Sequence, residues 1–71
     1  MKRIEALVAE ILDKITRRYV LTDMKIPEEI LTLKDETMDL FVKAKHESDP
    51  EKLRQYERRL AEIRERVSLC D

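Results

Sequence analysis

The sequence predicts an all-α fold, either an antiparallel three-helix bundle or a helical hairpin with a third helix packed on it, and expected to be homo-oligomeric. Three observations lead there. The chain has no glycine and two prolines, which disfavours the positive-φ turns that hairpins and barrels need. Glu, Lys, Arg, Leu and Ile, all but Ile strong helix formers, make up much of it. Apolar residues recur at steps of three and four in three separate stretches, with helix-start chemistry before the second and third.

The third stretch, Ser48 to Cys70, is the most strongly marked. In Ser48-Asp49-Pro50-Glu51, Ser48 or Asp49 offers an oxygen to free backbone N–H groups and Pro50 suits a first helical position. Glu51 sets negative charge at the positive end of the helix dipole. Leu53, Tyr56, Leu60, Ile63, Val67 and Cys70 then form a narrow seam on a charged rod, expected over residues 50–68.

The first helix is expected over residues 2–21. At 100° per residue, Ile4, Leu7, Val8, Ile11, Leu12, Ile15 and Tyr19 fall within roughly 140°, wide enough to touch two neighbours. No capping side chain precedes it, so its first turn is expected to fray. The short link Thr22 to Ile26 favours antiparallel packing.

The second helix is expected over residues 27–46, with Pro27 at its first position. Thr32 with Asp35 is an Asp variant of a capping box and marks a candidate break. In a continuous helix, Ile30, Leu33, Leu40, Phe41 and Ala44 make one apolar face. Leu31, Met38 and Val42 widen it to roughly 200°, more than a three-helix core readily covers. That surplus strip is the candidate contact with another chain.

The 71 residues make one domain, residues 1–71. A chain this short buries only about 60% of the surface its unfolded form exposes, and such domains lean on disulfides, metals or oligomerisation. Cys70 has no partner for an internal disulfide, and His46 with Cys70 is too few ligands for zinc. Self-association is the expected support. Charged residues make up 44% of the chain, with no Asn and one Gln, a composition that fits a thermophilic source. The net charge of −1 weighs against a dedicated nucleic-acid binder. It is unevenly spread: +2 over residues 1–21, −5 over 22–51 and +2 over 52–71. An acidic middle between basic flanks is expected to guide the helices into alignment. Glu5, Glu10 and Asp13 interrupt any signal-like apolar run, so no membrane association and a cytoplasmic location are expected.

Candidate chemistry is sparse. Glu36 with Asp39, and Glu62 with Glu65, have the i,i+3 spacing of helical metal sites but lack the further carboxylates such sites use, and read as solvated surface. His46 is placed to cap the end of the second helix or interact with its dipole, with no catalytic partner. Cys70 sits next to the C-terminus, where it could crosslink paired third helices under oxidising conditions. Arg54 and Arg58 are expected to share their face with Glu62 and Glu65, and Arg17 to be flanked by Asp13 and Glu10, as salt-laced surface. Glu62 and Arg66 have the favourable spacing for a side-chain pair. Tyr19 and Tyr56 lie on apolar stripes and read as core or core-edge residues.

Asp49-Pro50-Glu51-Lys52-Leu53 followed by an amphipathic helix resembles, over about twenty residues, the second helix of small sporulation-type aspartyl-phosphate phosphatases. Where that family's motif places Ser, Gln and Asp, this chain has Tyr56, Glu57 and Leu60. The functional residues are absent, and no family is assigned. The function expected is therefore a small non-enzymatic protein–protein interaction or assembly module, with no cofactor, no metal and no evident small-molecule substrate, binding a second copy or another protein. The alternative is a transcription or nucleic-acid accessory protein.

Overall fold

The computed structural model describes residues 1–69, so Cys70 lies outside the described residues. Three helices pack against one another, and no strand occurs among the described residues. Helix α1 runs Lys2–Ile15 and widens into a π-helical turn, Thr16–Val20; α2 runs Glu28–Lys45 and α3 Pro50–Leu69. The bundle measures 39 × 19 × 18 Å.

Each boundary has a local cause. At the end of α1 the ladder shifts to i→i+5, with the Leu21 N–H donating to the Thr16 carbonyl at 2.9 Å. A helical wheel does not separate a π turn from an α turn over five residues, so the expected helix to residue 21 has the right length but a wider last turn. The chain then leaves through a Schellman arrangement: Met24 N–H to Tyr19 carbonyl at 2.8 Å and Asp23 N–H to Val20 carbonyl at 3.2 Å. Asp23 occupies the left-handed position, φ 56°, where glycine is usual. In a glycine-free chain the short polar side chain of Asp tolerates it best.

Pro27 is the N-cap of α2 rather than its first helical residue, with ψ 147° and its carbonyl accepting from Leu31 at 3.0 Å. The helix is continuous through Thr32, whose hydroxyl donates back to the Glu28 carbonyl at 3.1 Å instead of capping a new start. His46 is the C-cap residue, its backbone N–H directed at the Lys43 and Ala44 carbonyls. At the start of α3 the cap is Asp49, which accepts the Glu51 N–H at 2.9 Å. Glu47 braces the turn by accepting the N–H groups of Ser48 and Asp49 at 3.1 Å each.

The core is built from all three helices: Ile4, Leu7, Val8, Ile11, Ile15 and Tyr19; Ile30, Leu33, Leu40 and Ala44; Leu60, Ile63 and Val67. Leu12, Ile26, Phe41, Leu53 and Tyr56 are half-buried against it. Thr37, which apolar patterning passes over, is fully buried and completes the rhythm 30, 33, 37, 40, 44 on α2. Its hydroxyl donates to the Leu33 carbonyl at 2.8 Å, so this buried polar side chain is satisfied within its own helix.

Ion pairs report the helix directions. Arg66 reaches Glu29 at 2.6 Å, and Arg59 forks onto Glu36, with Nη2 to Oε1 at 2.9 Å. Seven residues separate the partners on α2 and seven on α3, in opposite order, so these helices are antiparallel. Arg3 pairs with Glu57 at 2.7 Å and Glu10 with Arg64 at 3.4 Å, again seven apart but in the same order, so α1 and α3 are parallel. The acidic middle thus lies against the basic third helix, as the charge distribution implies.

Leu60 is sealed from solvent between α1 and α2. Leu60→Asp is expected to abolish cooperative unfolding and most of the far-UV helix signal, because a buried unpaired charge costs as much as the whole stability of a domain this size, about 4–10 kcal/mol. Thr37→Val is the contrasting case. The Leu33 carbonyl keeps its helical N–H partner when the hydroxyl goes, so the thermal midpoint is expected to stay or rise, with a change within about 1 kcal/mol.

Candidate functional site

The outer face of α2 carries the strip singled out by its surplus apolar arc. Leu31, Met38 and Val42 are 41%, 43% and 52% exposed, while Ile30, Leu33, Leu40 and Ala44 on the opposite face are buried. α2 is therefore amphipathic twice over. Its second seam reads Glu28, Leu31, Asp35, Met38, Val42, the same alternation of three and four as the buried one. On one margin Lys45 lies over the half-buried ring of Phe41, 4.5 Å from its centroid. On the other, Asp39 pairs with Lys43 at 3.0 Å.

The expected seam of α3 divides along its length. Leu60, Ile63 and Val67 are buried, whereas Leu53 and Tyr56 sit at the edge of the core. Val20, Leu21 and Met24, at the α1–α2 corner, and Leu69, toward the same end of the bundle, are also exposed. They went unflagged because Val20 and Leu21 fall outside the arc of α1 and Met24 lies in a connection; the signal was three large apolar residues around a helix end.

Three grooves among the described residues border α3, one of them at its C-terminal end against Lys14, Arg17 and Arg18. Toward α2, Glu29, Leu33, Arg59, Glu62, Ile63 and Arg66 line a groove of about 420 Å³ laced by ion pairs. Toward α1 there is a second of about 410 Å³, floored by Ala6, Leu7 and Ala61 and bordered by Arg3, Arg54, Arg58, Arg64, Glu10 and Glu57. For Glu62 the structure departs from the expected arrangement. Arg54 and Arg58 do not sit with Glu62, which turns toward α2 and lies 3.7 Å from Arg59. They border the α1 groove instead, where both carboxylates are taken by Arg3 and Arg64.

Three of the four carboxylates in the acidic pairs are engaged in ion pairs: Glu36 with Arg59, Asp39 with Lys43, Glu62 with Arg59. Among the described residues no three His, Cys, Asp or Glu side chains come together as a metal site. No helix among them is long and apolar enough to cross a membrane. Arg17 pairs with Asp13 at 3.0 Å on the exposed side of α1.

The Arg59 guanidinium holds the Glu36 carboxyl below its ordinary value of 4.5, chiefly by hydrogen bonding; burial, the next influence, opposes this, the Arg59 charge adds to it, and the nearby Asp39 charge opposes it least. A depressed carboxyl stabilises the fold fully above the unfolded-state value, and that contribution is lost as pH falls through the folded value. The pair is partly exposed, so its worth is about 1 kcal/mol or less. Glu36→Gln is expected to lower the thermal midpoint at pH 7, with the gap to the parent protein closing as pH drops below 4.5. Thermal unfolding across pH 7 to about pH 2 checks this.

Comparison with known protein-family models, curated proteins and solved structures returned no match, so the functional reading rests on geometry.

Proposed function

We propose that this protein is a non-enzymatic helical assembly module that associates with copies of itself through the outer face of α2. The exposure of Leu31, Met38 and Val42 carries the proposal. These three side chains lie along one line of a helix whose other face already fills the core. An apolar line of this kind on so small a domain supports reading it as a contact surface. Association would also add the apolar burial that a 71-residue chain lacks on its own. The surrounding Glu28, Asp35 and Lys45 are the polar rim such a contact uses. Against a metal site, three of the four carboxylates with metal-like spacing, Glu36, Asp39 and Glu62, are committed to arginine or lysine.

Light scattering over low to high micromolar concentration tests this. The parent protein is expected to show a mass rising above that of the 8.5 kDa chain. Met38→Glu is expected to keep its helix content and weaken association more than about tenfold, since burying a methionine side chain is worth about 1.5–3 kcal/mol. A parent chain that is monomeric throughout the range would refute the proposal.

A further inference from the structure

The layer formed by α1 and α3 has two sides. α2 covers one and brings Glu29 and Glu36 to Arg66 and Arg59. The groove floored by Ala6, Leu7 and Ala61 opens on the other, lined by α1 and α3 alone. Of the six basic side chains on α3, Lys52, Arg59, Arg64 and Arg66 reach carboxylates. Arg54 and Arg58 have no ion-pair partner among the described residues, and both border this groove. Four apart on one helix, they set two positive charges side by side along its edge.

The second seam of α2 supplies the complement. Its apolar members are Leu31, Met38 and Val42, and its acidic members, Glu28 and Asp35, are likewise without ion-pair partners among the described residues. The chain thus carries, on opposite sides of one bundle, an apolar line with two uncommitted carboxylates and an apolar-floored groove with two uncommitted guanidiniums. Within each copy, α2 already meets the α1–α3 layer through this chemistry, apolar seam inward and carboxylates onto arginines.

We infer that the α1–α3 groove is the receptor for the outer face of α2 of a second copy, so that copies join head to tail; this rests on the α2 face being the contact surface. A two-fold pairing of α2 faces through the middle of the strip would set both Asp35 carboxylates beside the axis and leave Arg54 and Arg58 unused. Seating α2 in the groove instead turns the two carboxylates toward the side that Arg54 and Arg58 border. Because strip and groove lie on opposite sides, the contact is heterologous, and each added copy presents a fresh strip or groove. The product is an open chain or a ring.

Complementation tests the geometry. Met38→Glu disables the strip and leaves the groove; the double variant Arg54→Glu/Arg58→Glu disables the groove and leaves the strip. Each alone is expected to be monomeric by light scattering at concentrations where the parent protein forms species larger than a dimer. Mixed in equal amounts, they are expected to form a 1:1 dimer and stop there, since only one working strip and one working groove remain. Circular dichroism establishes that each variant is folded, and Arg54→Gln/Arg58→Gln replaces the charge reversal if that variant loses helix. A groove variant that associates like the parent, or a mixture that stays monomeric, overturns the head-to-tail contact while leaving the α2 face as the contact surface. A monomeric parent overturns both.

Discussion

Leu60, Ile63 and Val67 enter the space between α1 and α2 and are almost wholly excluded from solvent there, and the remaining packing depends on that insertion. Neither α1 nor α2 can bury its stripe against the other alone, because each stripe is wider than a two-helix contact. With α3 seated, Ile11 and Ile30 close over and the wide face of α1 acquires its second neighbour. The lower part of the α3 seam, Leu53 and Tyr56, remains at the core edge. Helix α3 therefore acts as the lid of an intramolecular core rather than as a strand of an intermolecular coiled coil.

Charge fixes what packing leaves open. Apolar seams of similar side chains tolerate sliding by one heptad, and each inter-helix pair here recurs at that interval: Glu29 and Glu36 against Arg66 and Arg59, Arg3 and Glu10 against Glu57 and Arg64. Exposed pairs of this type are worth only about 0.2–1 kcal/mol each. Their polarity matters more. The α1–α3 pairs reverse sign from one heptad to the next, Arg to Glu and then Glu to Arg, so a one-heptad slip of α3 along α1 would oppose like charges. Such pairs select a register without contributing much to total stability.

The fold was legible to the degree that side-chain type tracks burial. Every residue assigned to the apolar arc of α1 is in the core or packed against it, and the helix starts at residues 28 and 50 follow from Pro27 and Asp49. Thr37 escaped because a hydroxyl counts as polar until its helix supplies an acceptor, though its place in the rhythm of three and four was visible. The exposed strip was legible by subtraction, as apolar arc in excess of what two neighbours cover. The groove was not. It depends on residues about fifty apart in the chain, Ala6 with Ala61 and Arg3 with Arg54 and Arg58. A wheel drawn for α3 gives the angle between Arg58 and Glu62 but not that the boundary between α1 and α2 falls between them.

The same asymmetry bears on how a small bundle of this kind presents itself. A three-helix domain with up-down-up connectivity has one helix, α2, antiparallel to both others, and one interhelical groove whose two walls run parallel. Parallel walls place residues of similar sequence position at the same height, here the beginnings of α1 and α3, so their charges accumulate along the groove instead of cancelling end to end. The ion pairs Arg3–Glu57 and Glu10–Arg64 neutralise both carboxylates present and leave the lining with a surplus of two arginines. On the far side, the outer seam of the antiparallel helix carries Glu28 and Asp35. The two sides of the bundle therefore differ: the α1–α3 groove has two arginines in excess of its carboxylates, and the outer seam of α2 has two carboxylates among its apolar side chains. Two like sides brought together would desolvate charges of one sign, which is the physical cost a symmetric pairing through either side would carry.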